Sequence, residues 1–225
     1  MSKGRESSRN SSLNGLKSCD YTFFGAEHNS RLVFETNKDQ ALTDVRYLLR
    51  TDKYQLDFKS GEMVFHFGSN SLRLRFAGRL YRSTPVGNAR LDRVVRFIDT
   101  DENNNKQDVP KFASVRYESL YFGINLSCHG HAGKLECDFV AMPAADTEQI
   151  RVAVEGADGI GIDETGALTI QIADQMLRIP KPNAFQLEHG RRNMVDVRFE
   201  LKGGNEVGFS IGRYNPSIPL IIDPV

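Results

Sequence analysis

From Leu32 onward, apolar and polar residues alternate with a period of two in one short segment after another. Tyr54, Leu56 and Phe58 alternate with Gln55 and Asp57, and Leu72, Leu74 and Phe76 alternate with Arg73 and Arg75, which is the pattern of half-buried antiparallel strands. Lys59-Ser60-Gly61 is a turn signal, so the spacing predicts a hairpin of 53–58 with 62–67, and a strand at 71–76 extends it into a meander. The rhythm returns after Val109. Val115 and Tyr117, Ile124 and Leu126, Leu135, Cys137 and Phe139, and Ile150, Val152 and Val154 each define an apolar face. Asp163-Glu164-Thr165-Gly166 separates Ile160 and Ile162 from Leu168, Ile170 and Ile172 as a further hairpin. Val195 to Leu201 turns through Gly203-Gly204-Asn205 into Val207, Phe209 and Ile211, and Leu220-Ile221-Ile222 closes the series.

Between Gly78 and Val109 the alternation weakens, and the polar run 99–105 reads as a mobile surface loop. That run is acidic, but it lacks the glycine and the distal glutamate of a twelve-residue calcium loop, so a solvated loop is the expectation. No segment has a helical period; Ala145 to Gln149 supplies at most one turn. The fold class is therefore all-β, an antiparallel β-sandwich with almost no helix. It forms either one β-rich domain over 31–225 or two sandwich-like lobes, 31–98 and 110–225, linked by the polar loop 99–109. No fixed repeat marks a propeller or solenoid.

Composition narrows the functional classes. Lysine plus arginine number 29, as do aspartate plus glutamate, so no net field recruits nucleic acid or an anionic membrane. No apolar run approaches the ~20 residues that span a bilayer, so no membrane insertion is expected. Residues 1–30 read as a disordered N-terminal tail, without the apolar stretch of a signal peptide. Leu16-Lys17-Ser18-Cys19 resembles a lipoprotein cleavage site only faintly, and lipidation is not expected.

Reactive side chains concentrate at 124–139: Cys128, His129, His131, Glu136, Cys137 and Asp138. If the hairpin turns between Ala132 and Gly133, Cys128 lies opposite Cys137. Facing α-carbons in a non-hydrogen-bonded pair are about 4.5 Å apart, at the short end of what a disulfide bridges. An oxidising compartment would favour the bond, and a reducing one would leave two small apolar residues. A zinc site needs Cys and His to converge, but strand alternation places the two cysteines on one face and His129 and His131 on the other. Glu136 and Asp138 share a face and could flank a glycosidic bond, but neighbouring strand residues have that spacing by default and the charged outer face of an amphipathic strand is the expectation. No GxSxG, HExxH or phosphate-cradling glycine loop occurs, and no catalytic residue, metal or other cofactor is expected. Arg191-Arg192, Arg73 and Arg75 read as solvated charges and not as a nucleic-acid site.

The order of short motifs resembles that of a known family. Phe34-Glu35-Thr36-Asn37-Lys38-Asp39-Gln40 is similar to its FEANxGQ opening, and Tyr54 to Phe67 to its first hairpin. Val109-Pro110, Tyr121-Phe122-Gly123-Ile124-Asn125, Leu135-Glu136-Cys137-Asp138-Phe139 and Ala144-Ala145-Asp146 follow its VP, YPGID, LEYDF and PGAD elements. Glu155-Gly156-Ala157, Gly166-Ala167-Leu168, Pro182 to Gln186 and Pro219 to Pro224 continue the order. The family is the domain of unknown function found N-terminal to SBBP-type β-propeller repeats in bacterial surface or secreted proteins.

The resemblance implies structural roles for Asn37, Gln40, Tyr121, Gly123, Leu135, Glu136, Asp138, Phe139, Gln186, Asp223 and Pro224. It carries over no catalytic residue. The family usually has tyrosine at the positions of Cys128 and Cys137, and a paired exchange favours a bond between them. The implied setting is extracellular or the cell surface, but the chain shows no export signal and stops at Asp223-Pro224-Val225, where the family runs on into a propeller blade. It is therefore an excised domain or a stand-alone descendant, and the cytoplasm stays open.

The functional expectation is a non-catalytic module with a structural or binding role, not an enzyme, whose partners are a C-terminal propeller or surface glycans. The alternatives are a carbohydrate-binding or adhesion module using Tyr81, Tyr121 or Tyr214, and, less favoured, a glycoside hydrolase using Glu136 and Asp138.

Overall fold

The structure is a computed structural model and describes residues 21–22, 32–80, 83–96 and 108–224. Within the expected tail, Tyr21–Thr22 form a short strand, β1. The first regular stretch holds β2 (Phe34–Thr36), β3 (Val45–Arg50), β4 (Gln55–Lys59), β5 (Glu62–Phe67) and β6 (Asn70–Phe76). These make the predicted meander, with Leu56 and Phe58 of β4 opposite Phe65 and Met63 of β5, all buried. Asp57 lies between Leu56 and Phe58 on the opposite face and is also buried, where it accepts from Gln55 Nε2 at 2.8 Å and lies 2.9 Å from His66 Nε2. A buried carboxylate persists only with such partners.

Next come β7 (Pro85–Arg96) and β8 (Asp108–Tyr121), two long strands in a hairpin, then β9 (Ile124–His131) and β10 (Lys134–Ala141). The polar run at 99–107 lies outside the described residues, while Asp108 and Val109 already belong to β8. Ala132 (φ 48°) and Gly133 (φ 77°) turn the chain between β9 and β10. Two central residues with positive φ are what the tightest hairpin turn requires. A 3-10 turn at Thr147–Gln149, capped by the Asp146 carboxylate on the Glu148 amide, is the helical piece anticipated at 145–149. The remainder is β11 (Val152–Glu155), β12 (Gly159–Ile162), β13 (Leu168–Ile172), β14 (Gln175–Ile179), β15 (Asn183–Glu188), β16 (Arg191–Val195), β17 (Val197–Gly203), β18 (Glu206–Ile211) and β19 (Leu220–Asp223).

The molecule is all-β, and among the described residues every pairing is antiparallel except that of β1 with β14. The large sheet runs β16-β15-β19-β10-β9-β8-β2-β3-β4-β5-β6-β11-β18-β17, with β7 added on β8. Two long strands bend it. Lys111 and Phe112 of β8 pair with β2 on one edge and β7 on the other, and Val115 and Tyr117 lie in the same way between β9 and β7. β2 and β9 therefore follow one another along a single edge of β8, so this strand passes from one half of the sheet to the other. At the far side only Asp196 separates β16, paired with β15, from β17, paired with β18. The sheet thus comes nearly full circle in a barrel-like shape, as sheets do when strands turn corners.

Strands from 31–98 and from 110–225 pair directly, β2 with β8 and β6 with β11, and both supply one buried apolar cluster. Phe139 of β10 meets Phe209 of β18 with centroids 5.8 Å apart, and Phe76 meets Tyr117 at 5.3 Å. The small sheet β1-β14-β13-β12 adds Leu168, Ile170, Ile172 and Leu177 to the same core. A cavity of about 90 Å³ remains there, lined by apolar side chains including Phe65, Phe139, Ile170, Phe209 and Pro224.

Candidate functional site

The β9–β10 hairpin has two chemically different faces. Inward, Leu126, Cys128, Leu135, Cys137 and Phe139 are buried. Cys128 pairs with Cys137 across the ladder, their α-carbons are 4.0 Å apart, and a disulfide joins them. Met63 packs its sulfur 3.8 Å from that of Cys128. Outward, His129 Nε2 lies 3.3 Å from a Glu136 carboxylate oxygen, and its Nδ1 lies 3.9 Å from one of Asp138. The cysteines and His129 thus occupy opposite faces, as strand alternation requires. Among the described residues no group of three or more His, Cys, Asp or Glu is arranged to hold a metal ion.

Asp138 is the unusual acid of this outer face. Burial, then the nearby charge of Asp223 and to a lesser degree that of Glu136, push its carboxyl up to about 6, against the opposing effects of His129 and Arg192. A carboxyl that stays protonated in mild acid beside an ionised one is the electrostatic ingredient of acid/base catalysis. Here each member lies on a strand face and is engaged with the others. Arg192 also stacks its guanidinium 4.0 Å over the Phe185 ring.

The other signature residues hold backbone together. Asn37 accepts from the Ala41 amide at 3.1 Å, and its Nδ2 donates to the carbonyls of Leu42 at 2.9 Å and Val45 at 3.0 Å, which fixes the loop between β2 and β3. Within that loop Gln40 accepts from the Lys38 amide. Gln186, buried on β15, accepts from the Asn215 amide at 2.8 Å and donates to the carbonyls of Asn215 at 2.8 Å and Ile218 at 3.1 Å. Tyr121 is fully buried; its hydroxyl donates to the Arg151 carbonyl at 2.8 Å and accepts the Arg151 amide at 3.2 Å, and burial pushes its pKa up to about 12. Gly123 has φ +72°, and an added β-carbon would lie 3.0 Å from that of Ala145, so glycine is required twice over. Leu135 and Phe139 fill the core, Asp223 stands at the end of β19 near Asp138, and Pro224 lines the apolar cavity.

The tyrosines need correction. Tyr121 offers no exposed ring, and Tyr214 is half-buried against the core. Tyr81, like Cys19, lies outside the described residues. Arg73 and Arg75 lie exposed as expected, and both approach Glu155, Arg75 at 2.8 Å.

What the sequence reading missed is a polar concavity of about 470 Å³ around the β2–β3 loop, where Thr36 to Asp39, Arg46 and Tyr47 meet Thr84 and Pro85. The signature at 34–40 marked one wall of it. Nothing local marked the other, which arrives from β7.

A family profile described as "Domain of unknown function (DUF7948)" matches residues 34–225. No curated protein and no solved structure matches.

Proposed function

The chain belongs to this family of domains of unknown function, and we propose that it is a non-catalytic module whose role is structural and binding, in a bacterial surface or secreted protein where it precedes a β-propeller. One observation carries the reading. Three of the polar signature side chains, Asn37, Tyr121 and Gln186, bond to the chain's own backbone. Tyr121 and Gln186 are buried, and buried polar groups whose partners are supplied by backbone specify a fold.

The propeller context and the extracellular setting come from the order of motifs resembled above, and the disulfide agrees with an oxidising compartment. Hydrolysis by Glu136 and Asp138 is the rival. The test is to incubate the protein with a panel of polysaccharides and analyse the products. No turnover is expected. Turnover that disappears in Glu136→Gln would overturn the reading.

A further inference from the structure

We propose that the concavity beside the β2–β3 loop binds a carboxylate-bearing sugar, such as a uronic-acid unit of an acidic polysaccharide. The proposal deepens the binding half of the reading above and rests on its premise that the module performs no chemistry. The volume, about 470 Å³, falls in the usual range of roughly 300–1,000 Å³ for small-ligand pockets.

Part of its lining is apolar. Val45 and Pro85 are buried, and the half-buried Tyr47 ring is held by Phe112 in an edge contact with centroids 5.6 Å apart. Its rim is charged and exposed, formed by Lys38, Asp39 and Arg46. The apolar part of the lining fits the C–H face of a sugar ring, and the rim fits its hydroxyls and an acid group. Inorganic phosphate would leave the apolar part of the lining uncovered, and a hydrocarbon would strand the charges without partners.

Three features show that the rim is built for an outside partner. The register of β3 on β4 shifts between Val45 and Tyr47, so Arg46 is the extra residue of a bulge, a device that re-aims a side chain. Neighbouring cations are neutralised within the protein, Arg50 by Glu35 at 2.9 Å and Lys59 by Asp44 at 3.0 Å. Lys38, Asp39 and Arg46 have no ion-pair partner among the described residues, so two cations face one carboxylate around the opening. The guanidinium fork of arginine matches a carboxylate in two parallel hydrogen bonds. Finally, Asp39 sits at φ 69° in the left-handed region, in a loop fastened by Asn37, so the rim is shaped before any ligand arrives.

Calorimetric titration of the full chain with trigalacturonate, against the neutral maltotriose, tests the proposal. Saturable binding of trigalacturonate is expected, weakened about tenfold or more in Arg46→Ala and unchanged in Arg192→Ala, with maltotriose weaker by a similar factor. The unfolding midpoint of Arg46→Ala should match the parent, which separates lost binding from lost fold. No binding of trigalacturonate, equal binding by Arg46→Ala, or equal binding of maltotriose would overturn it. Chromatography of the same mixtures reports separately on the broader reading: shortened sugar would refute the non-catalytic assignment, whereas absent binding without turnover refutes only this site.

Discussion

Two loops of this molecule are fastened by the same device and end in different states. In the first, Gln186 reaches from β15 to the 215–219 segment and exchanges hydrogen bonds with its backbone, and it is 4 % exposed. In the second, Asn37 does the same for the β2–β3 loop, but the charged side chains of that loop point around an open concavity. A primary amide suits both tasks because it offers donors and an acceptor to a chain that has left the sheet ladder. The difference lies in what surrounds it. Where the fastened loop is covered, it completes the fold; where it is left open with charges unmatched, it offers the surface proposed above to bind.

Substitutions can sharpen this contrast. Gln186→Ala removes one side chain and orphans several backbone groups, so about 3 kcal/mol of stability should be lost in urea denaturation. Opening the Cys128–Cys137 bridge, which spans a sequence separation of 9, should cost roughly 2.5 kcal/mol by loop-closure entropy, read from unfolding with and without reductant. Asn37→Ala should cost less, about 2 kcal/mol, because its loop is more exposed and water replaces part of what is lost. It should also weaken trigalacturonate binding, whereas Gln186→Ala should not, at temperatures where the variant stays folded.

The smallest effect concerns Asp138. Its folded value, about 6, lies above the ordinary carboxylate value, so the fold favours the protonated form. That contribution is complete below about pH 3.9 and is lost as pH rises through the folded value. Asp138→Asn should therefore match the parent near pH 4. Near pH 7.5 it should exceed the parent by on the order of 1 kcal/mol once solvent screening is allowed for, in unfolding curves across that range. The neighbours that set the value, His129 on β9, Glu136 on β10, Asp223 on β19 and Arg192 on β16, are retained in that variant.

Local chemistry in the sequence was enough for the meander and for the β9–β10 hairpin, because turn residues fix register and register fixes which side chains face inward. The pairing of Cys128 with Cys137 was legible for that reason. β7 was not: Pro85 to Arg96 has no clean alternation, and its register on β8 shifts between Leu91 and Val95. β16 was equally silent, since Arg191 to Met194 are all exposed and carry no inward pattern. The circular order of the sheet depends on pairings that join residues far apart in the chain, β2 with β8, β6 with β11, β11 with β18 and β10 with β19. The same distance hid the partners of the two outer sites. Glu136 and Asp138 showed in one motif, but Asp223 and Arg192 come from other strands, and Arg46 reaches its concavity through a bulge that no composition rule announces.

Amide hydrogen exchange tests the central claim, that signature side chains hold loops in place, most directly. The Asn215 amide donates to Gln186 and the Ala41 amide to Asn37. Gln186→Ala should abolish protection at Asn215 and leave Ala41 unchanged, and Asn37→Ala should do the reverse. Protection that survives at both amides in both variants would contradict the account.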